Sequence, residues 1–279
     1  MKPTICLDAG HYEKRNQSPI VPSYYESLQM WALHLKLKNY LEGFGIKVIT
    51  TRADQKKDLA VYERGLKAKN CDMFLSLHSN ASENSTKVNR VDVFASYDNL
   101  NNSHTFGKVL ARKVADVMGI SESNVKTRKS KKGDFEYYGV LRGARSADCP
   151  LYYIVEHSFH TNEASARWLM NDSNLDKLAK AEAEAIAEHF GIETKKAESV
   201  KMVTIEMPTI KNGSECEEVK TLQTLLKALN YKGANKKVLS IDGDFGANTE
   251  YALKAFQKAN GLTADGIAGT KTWNKILKG

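Results

Sequence analysis

The sequence has no apolar run close to the roughly 20 residues that a membrane-spanning helix needs, so we expect no insertion into a membrane. We expect no secretory signal peptide either, because the first apolar stretch after Thr4 is too short and no cleavage site follows it. We therefore expect a protein that is made in the cytoplasm.

Cysteine is scarce, with four residues at positions 6, 71, 149 and 216. None of them forms a C-x-x-C pair, which excludes zinc knuckles and thioredoxin-type redox motifs. Cys6 and Cys71 lie in or beside apolar, strand-like runs. We therefore expect buried free thiols in a protein that folds in a reducing compartment.

Arginine is absent from residues 195–279, although this segment carries 14 lysines against nine acidic residues. The segment thus contributes five of the eight net positive charges of the chain, which favours an acidic partner. Nucleic acid and the anionic polymers of a cell wall both qualify. The lysines are dispersed rather than clustered with aromatic residues, which is atypical of a nucleic-acid interface, and we expect no nucleic-acid partner.

The 279 residues, 42% of them hydrophobic, suffice for one large domain or for an ordinary domain with a smaller one. Over the first two-thirds of the chain, short apolar runs alternate with segments of helical periodicity. This alternation predicts an α/β domain over residues 1–191, with a largely parallel twisted sheet flanked by helices. The predicted strands are 4–8, 47–51, 72–78, 91–96 and 151–156, and the predicted helices are 26–44, 59–69, 106–118, 164–170 and 175–190.

A basic segment interrupts this alternation at residues 124–139. Five basic residues precede Gly133 and Asp134, which predicts an exposed loop; they are Lys126, Arg128, Lys129, Lys131 and Lys132. Such a loop is either simply solvated or forms a rim that meets an anionic polymer, and the sequence leaves both interpretations open.

The end of the chain predicts a second, all-α domain over residues 213–279, with helices at 219–229, 249–259 and 270–277. Residues 192–212 are interpreted as a linker with one short strand at 203–207. Between the helices, the octet D-G-x-x-G-x-x-T begins at Asp242 and again at Asp265. It lacks the alternating oxygen ligands and the distal glutamate of a calcium loop, so we interpret it as a repeated turn that precedes a helix.

Four residues could form a metal-dependent hydrolytic site. His11 and His78 each follow an apolar strand, Glu26 opens a helix, and Glu156 ends another strand. Each one alone is more often structural, but the carboxyl ends of strands in an open α/β sheet gather at one edge. Two histidines and a glutamate with an open fourth position suit Zn²⁺. A separate carboxylate at Glu156 could act as the base.

Neighbouring polar residues carry weaker expectations. We expect His157 and His160 to be exposed or to support the ligands. Arg64 and Arg142 could pair with substrate carboxylates, although surface salt bridges are the commoner use of such residues. Arg142 and Asn80 are retained as candidate substrate contacts.

The motifs around these residues resemble those of the zinc-dependent N-acetylmuramoyl-L-alanine amidases of the amidase-3 family, over roughly residues 2–190. The matching residues are Asp8-Ala-Gly-His11, Glu26, Ser76-Leu-His78-Ser-Asn80 and Val155-Glu156-x-x-Phe159-x-Thr-Asn162. The resemblance implies one zinc ion per chain, bound by His11, Glu26 and His78, with Glu156 as the catalytic glutamate. One departure is Ser158, where many members have glycine, and we expect a small effect on loop shape.

Residues 213–279 resemble the peptidoglycan-binding domain 1 family, a small three-helix module. The motif residues are Asp242, Gly243, Phe245, Gly246, Asp265, Gly266 and Trp273, together with Thr249, Ala255-Phe-Gln257, Gly261-Leu262, Gly269 and Thr272. We expect Phe256 and Trp273 to be core residues, so that loop groups would contact the wall.

Together the two resemblances imply a peptidoglycan hydrolase that cleaves the amide between N-acetylmuramic acid and L-alanine. The net positive charge favours a Gram-positive wall. The expected lack of an export signal favours a bacteriophage endolysin or a sporulation autolysin, which would reach the wall after the membrane has been permeabilised. Two alternatives stay open at this stage, namely a zinc peptidase that acts within the stem peptide and a non-catalytic wall-binding protein.

Overall fold

The chain folds into two compact units, Met1–Ala197 and Glu198–Gly279. The computed structural model describes residues 2–194 and 207–277. The short strand predicted at 203–207 therefore lies almost entirely outside the described residues. Within the described ranges, no helix is both long and apolar enough to cross a membrane.

The first unit is built on a six-stranded sheet with the strand order β2-β1-β3-β6-β4-β5. The strands are β1 (Thr4–Ala9), β2 (Lys47–Thr50), β3 (Met73–Asn80), β4 (Val91–Phe94), β5 (Ser123–Lys126) and β6 (Leu151–Phe159). All neighbours pair in parallel except β4 and β6, which are antiparallel. The predicted α/β fold with a largely parallel sheet is thus confirmed.

Helices cover both faces of this sheet. They are α1 (Glu26–Gly43), α2 (Val61–Leu66), α3 (Ser103–Met118), α4 (Gly139–Ser146), α5 (Glu163–Leu169) and α6 (Asp172–His189), with a short 3-10 helix at Leu100–Asn102. All five predicted strands and all five predicted helices are present, although α2 is shorter than expected.

Besides the 3-10 helix, two elements of this unit were not predicted. β5 lies in the segment that was interpreted as a loop, because Ser-Asn-Val-Lys shows no apolar pattern and its pairing with β4 alone makes it a strand. The helix α4 contains two glycines and two arginines and so lacks a strong helical signal. It is held by close packing on α2, since a Cβ on Gly65 or Gly143 would overlap the backbone of the opposite helix.

Alternation along the strands divides the side chains between two faces. Ile5 and Leu7 point towards the larger core, which α1, α3 and α6 cover. Cys6 and Tyr152 point to the opposite face, which is covered by α2 and α4 and is called here the α2/α4 face. Cys6, Cys71 and Cys149 are buried free thiols in this second core, as expected.

The second unit contains three helices, α7 (Glu217–Ala228), α8 (Ala247–Ala259) and α9 (Thr270–Leu277), as predicted. Their apolar faces enclose a core that includes Leu222, Phe245, Phe256 and Trp273. Ile210 is buried with them and pairs with Ala268. The chain thus already packs onto this unit at residue 210.

Candidate metal centre and active site

Three residues that are distant in the sequence, His11, Glu26 and His78, meet at the carboxyl ends of β1 and β3. Each offers one ligand atom, and these atoms all lie within 4.8 Å of one another. His11 follows β1 with a φ of 59°, Glu26 is the first residue of α1, and His78 lies near the end of β3. The fold therefore brings together the three residues that the sequence motifs grouped.

Glu26 is the centre of this cluster and is only 1% exposed. Its Oε1 lies 2.9 Å from His78 Nδ1 and its Oε2 lies 3.4 Å from His11 Nε2. The Asn16 amide donates to Glu26 Oε2 at 2.8 Å and contacts His11 Nε2 at 3.0 Å. Burial alone would raise the pKa of Glu26, but its hydrogen bonds and charge interactions with the two histidines outweigh burial and hold the pKa well below its ordinary value. The carboxylate is therefore ionised and available as a ligand.

A chain of buried hydrogen bonds connects His78 with Asp8. The Ser76 hydroxyl donates to Asp8 Oδ2 at 2.7 Å, and the Thr51 hydroxyl donates to Asp8 Oδ1 at 2.6 Å. His78 Nε2 lies 3.1 Å from Ser76 Oγ. Because the hydroxyl of Ser76 has one proton and gives it to Asp8, the His78 nitrogen must be the donor in this contact. His78 thus carries a proton on Nε2, and Nδ1 faces Glu26.

This donor set fits a zinc ion. With a proton on Nε2, an unprotonated Nδ1 of His78 would present its lone pair to Glu26 Oε1, which can also only accept. Two acceptors 2.9 Å apart need a positive group beside them, either a further proton or a metal ion. Zinc bond lengths of 2.0–2.1 Å imply ligand atoms about 3.3 Å apart in a tetrahedral site, which agrees with the 3.4 Å between His11 Nε2 and Glu26 Oε2.

Gly10 permits the close approach of the loop before His11 to His78. A Cβ at this position would lie 2.5 Å from His78 Cε1 and 2.8 Å from the Leu77 carbonyl oxygen. Any larger residue would therefore displace the His78 ring, and the glycine of the Asp-Ala-Gly-His motif has a steric reason.

Arg64 is buried below this loop, so the expectation of a surface salt bridge was wrong. It is 5% exposed and pairs with Asp58 at 2.6 Å and with Asp8 at 3.6 Å. Its Nη1 also donates to the Ala9 carbonyl at 3.3 Å, which Arg52 contacts at 2.5 Å. Both arginines thus hold the backbone just before Gly10. Sequence reasoning named Arg64 but missed this role, which depends on how α2 packs, and it did not single out Arg52.

Glu156 lies directly beside His78 on the neighbouring strand. The strand registers pair Glu156 with His78 on one side and with Asp92 on the other, so the three side chains share the α2/α4 face. Glu156 Oε2 is buried and has no hydrogen-bond partner among the described residues. Burial raises the pKa of Glu156 well above its ordinary value, the charges of Glu26 and Asp92 raise it further, and Lys126 opposes them. A bound dication would also lower it, so this carboxyl group lies in an environment suited to taking up and releasing a proton.

His157 and His160 are buried, and so they occupy the supporting role rather than an exposed one. His157 contacts the His78 carbonyl oxygen through Nδ1 and Glu182 through Nε2, both at 2.9 Å. His160 Nδ1 lies 3.0 Å from both the carbonyl oxygen and the hydroxyl of Ser79. Both histidines therefore hold the backbone of β3 at the cluster.

Ser158 has a φ of 61°, which is the left-handed region that favours glycine. Its hydroxyl lies 2.8 Å from Asn89 Oδ1 and 3.0 Å from Ser165 Oγ. These contacts give the serine a local role at a position where its backbone conformation explains a preference for glycine.

A cavity of about 180 Å³ adjoins the cluster. His11, Ser76 and His78 line one side, and residues 58–61 and Val140 line the other. A larger cavity of about 480 Å³, lined by Phe106, Val109, Leu151 and others, contains none of the candidate site residues. The smaller cavity is therefore the one next to the chemistry.

The two candidate substrate contacts are placed differently. Asn80 ends β3, and its Oδ1 accepts from the next backbone N–H of Ala81 at 2.8 Å. Arg142 donates to the carbonyl oxygens of Glu136 and Tyr137 at 3.0 and 2.9 Å. The Arg142 contacts brace a neighbouring segment of the chain.

In the second unit, the two octets form turns that are organised from the preceding helix. Gln223 Nε2 donates to Asp242 Oδ1 and the Asp244 carbonyl, and its Oε1 accepts from the Gly243 N–H. Gln257 makes the same set of contacts with Asp265, Ile267 and Gly266. Gly243 and Gly266 have φ values of 83° and 76°. Phe245 and Trp273 are 0% and 2% exposed, so these motif residues build the unit's core and turns.

The sequence matches two families. Residues 5–188 match the family described as N-acetylmuramoyl-L-alanine amidase. Residues 216–276 match a family described as a peptidoglycan binding domain. The first match spans the sheet and every residue of the candidate metal cluster.

Curated relatives match over short stretches. A "Zinc D-Ala-D-Ala carboxypeptidase" of Streptomyces albus G is 47% identical over 70 residues, or 25% of this chain and 26% of the relative. A "Probable N-acetylmuramoyl-L-alanine amidase" of Bacillus licheniformis is 48% identical over 62 residues, or 21% and 17%. A "Spore cortex-lytic enzyme" of Bacillus cereus is 41% identical over 69 residues, or 25% of each. The chain thus spans about a quarter or less of the length of these relatives.

Solved structures share the fold. The catalytic domain of an N-acetylmuramoyl-L-alanine amidase from Bacillus (Paenibacillus) polymyxa var. colistinus superposes with a TM-score of 0.58 at 22% identity, over 69% of this chain and 100% of that one. An N-acetylmuramoyl-L-alanine amidase from Clostridium difficile 630 gives a TM-score of 0.60 at 19% identity, over 70% and 99%.

Proposed function

The chain belongs to the N-acetylmuramoyl-L-alanine amidase family, and we propose that it hydrolyses the amide between the lactyl carbonyl of N-acetylmuramic acid and L-alanine of the stem peptide. The observation that carries this proposal is the cluster of His11, Glu26 and His78 with Glu156 on the adjacent strand. Two histidines and one carboxylate form the ligand set of a hydrolytic zinc site, and a nearby carboxyl group supplies the proton transfer.

His11, Glu26 and His78 would hold one zinc ion per chain. The ion supplies Lewis acidity at an open coordination position, which activates water and polarises a carbonyl group. Ser76 keeps His78 in the tautomer that presents Nδ1 to the cluster. Gly10 leaves space for this ring.

Glu156 is proposed as the general base and general acid. Its unpartnered Oε2 takes the proton of the attacking water as the water oxygen bonds to the lactyl carbonyl carbon. The same proton then passes to the alanine nitrogen as the carbon–nitrogen bond breaks. The products are a lactyl carboxylate and an alanine ammonium group, which carries both protons of the water molecule that was added.

We propose residues 1–191 for catalysis and 213–279 for wall binding, with a linker over 192–212 whose last part already packs on the second unit at Ile210. The family match at residues 216–276 and the five excess positive charges of residues 195–279 support attachment of this part to an anionic wall. A Gram-positive wall rich in anionic polymers is the proposed substrate. A lytic role, as in endolysins or sporulation autolysins, agrees with a relative named as a spore cortex-lytic enzyme.

The test is to digest purified cell wall with the protein and to identify the new chemical ends, with and without a zinc chelator. The expected result is free L-alanine amines matched by lactyl carboxylates, lost with chelator and restored by zinc. New ends within the stem peptide would instead support the peptidase alternative. Wall binding without new ends would support the non-catalytic alternative.

A further inference from the structure

The basic segment after β5 folds back on itself as a hairpin over residues 128–137, called here the basic hairpin. The Tyr137 N–H donates to the Arg128 carbonyl at 2.9 Å, and the Ser130 N–H donates to the Phe135 carbonyl at 2.9 Å. Lys129 and Glu136 form an antiparallel bridge between them. The segment that the sequence predicted as a loop thus has a defined backbone.

Buried contacts anchor this hairpin to the body of the protein. Glu136 is 0% exposed, and its Oε1 accepts from the Tyr152 hydroxyl at 3.0 Å and from the Tyr97 N–H at 3.3 Å. Arg142 holds the carbonyl oxygens of Glu136 and Tyr137 from α4. Side chains on the hairpin are therefore presented on a braced support, which reduces the entropy lost when they bind a ligand.

Some of the basic residues between positions 126 and 132 form ion pairs, and others do not. Lys126 pairs with Asp92 at 2.8 Å, and Lys129 pairs with Asp134 at 2.7 Å. Arg128, Lys131 and Lys132 are exposed and form no ion pair within the described part of the chain. The Arg128 guanidinium lies 3.6 Å from the centroid of the Tyr137 ring, which is 45% exposed. Stacking in this way orients an arginine, and the Arg128 side chain remains exposed.

The hairpin borders the candidate active site. Lys126, just before it, pairs with Asp92, which is the register partner of Glu156. Tyr138, just after it, packs on Phe94 of β4 with ring centroids 4.9 Å apart. Two residues further on, Val140 lines the cavity next to His11 and His78. A substrate with its amide at the metal cluster therefore has the hairpin beside it.

We propose that Arg128, stacked on Tyr137, is a substrate subsite that binds a carboxylate of the stem peptide. This inference rests on the proposed amidase function. An arginine fork matches a carboxylate with two parallel hydrogen bonds. The N-acetyl sugars of the glycan are neutral and the lactyl carboxyl is consumed in the amide, so the free carboxylates of the substrate lie on its peptide. Lys131 and Lys132 add a positive field around the same place.

The test compares two soluble muramoyl-peptides that differ only in whether the peptide carboxylates are free or amidated. For Arg128→Ala we expect kcat/KM on the free-carboxylate substrate to fall by about 10- to 100-fold, mainly through KM, as for a lost charged hydrogen bond. Activity on the amidated substrate should be unchanged. Arg128→Lys keeps the charge but loses the planar fork, so its kcat/KM on the free-carboxylate substrate should lie between those of the wild-type protein and Arg128→Ala.

Arg112→Ala is the matched control, because Arg112 is an exposed arginine on α3, which packs against the other face of the sheet. It should leave both substrates unaffected. The subsite would be overturned if Arg128→Ala lowered kcat/KM equally on both substrates. It would also be overturned if this variant did not lower kcat/KM on the free-carboxylate substrate. A loss seen only on walls that carry teichoic acids would overturn it in favour of the anionic polymer. Failure of the wild-type protein to cleave either substrate would instead contradict the amidase function itself.

Discussion

Ser76 lies between His78 and Asp8, with its hydroxyl oxygen 3.1 Å from His78 Nε2 and 2.7 Å from Asp8 Oδ2. Ser76 is 0% exposed and Asp8 is 1% exposed, so no solvent competes for these contacts. The carboxylate can only accept, which orders the protons along the whole chain. A partner of this kind behind a ligating imidazole fixes the ring orientation and raises its basicity.

Ser76→Ala should therefore weaken zinc binding by about 10- to 100-fold. The variant leaves the His78 Nε2–H without its acceptor and releases the ring to turn. Competition with a fluorescent zinc chelator measures the affinity directly, without any activity assay. Affinity equal to that of the wild-type protein would show that Ser76 does not orient His78.

Thr51→Val is the control for this measurement. It removes the other hydroxyl donor of Asp8, at 2.6 Å, but has no hydrogen bond with His78. Some loss of stability is expected from the unsatisfied carboxylate oxygen. Zinc affinity should stay close to that of the wild-type protein if Ser76 acts through its contact with the ring.

Glu156→Gln should abolish hydrolysis while zinc content stays at the wild-type level, because the side chain is proposed to move a proton and not to bind the metal.

The Glu156→Gln variant should also have a higher thermal midpoint than the wild-type protein, by a few degrees, when both are free of zinc at pH 7–8. In the wild-type protein, burial raises the pKa of Glu156. Between the pKa values of the unfolded and the folded state, the folded protein therefore binds more protons than the unfolded chain. Wild-type stability therefore decreases as the pH rises through this window, and the neutral amide removes that dependence.

Calorimetry of the zinc-free proteins at pH 5 and pH 8 checks the stability part of this prediction. A larger gain at pH 8 than at pH 5 is expected. If the wild-type protein and the variant had equal midpoints at both pH values, the buried charge of Glu156 would not destabilise the folded state. Retained hydrolysis would refute its role as base.

The four principal residues could be predicted because the information is local. His11, His78 and Glu156 lie near the carboxyl ends of strands and Glu26 opens a helix, and each stands in a short motif. Asp8 and Ser76 stand in the same motifs, yet their link could not be predicted, since it depends on the register that places Asp8 opposite Ser76. Periodicity predicts a strand without specifying its register.

The basic hairpin shows a second limit. Its composition predicted exposure correctly for Arg128 and Lys131, but nothing local indicates that Glu136 turns inward to meet Tyr152. β4 and β5 also run opposite to β6, a direction that the alternation of strands and helices does not reveal. Both features depend on contacts between residues that are distant in the sequence, so the local pattern could not predict them.

His34 predicts how the first unit responds to acid. Burial lowers its pKa to about 4, and its Nδ1 has no hydrogen-bond partner in the described part of the protein. Between pH 6.5 and pH 4 the unfolded chain therefore binds a proton that the folded chain does not. The free energy of unfolding should fall as the pH decreases through this range, by up to about 1.4 kcal/mol per pH unit from this residue.

Urea unfolding of the wild-type protein and His34→Gln at several pH values between 4 and 7 measures this contribution. The variant should show a shallower loss of stability with acid, although buried His160 and His189, whose pKa values are also lowered mainly by burial, keep part of it. Identical slopes for the two proteins would contradict a buried neutral His34.

Gln257→Ala should destabilise the second unit by about 1–3 kcal/mol, because it leaves buried groups of the second octet without partners. Gln257 is 1% exposed and binds Asp265, Ile267 and Gly266 at 2.8, 3.0 and 2.9 Å. Hydrogen exchange of the full chain should show lost protection in residues 262–277 and unchanged protection in β3 and β6.

Gln223→Ala should destabilise the first octet in the same way, since its hydrogen bonds repeat those of Gln257. Thr224→Ala, at an exposed position of α7, is the control, and an equal effect of that change would remove the special role of the two glutamines.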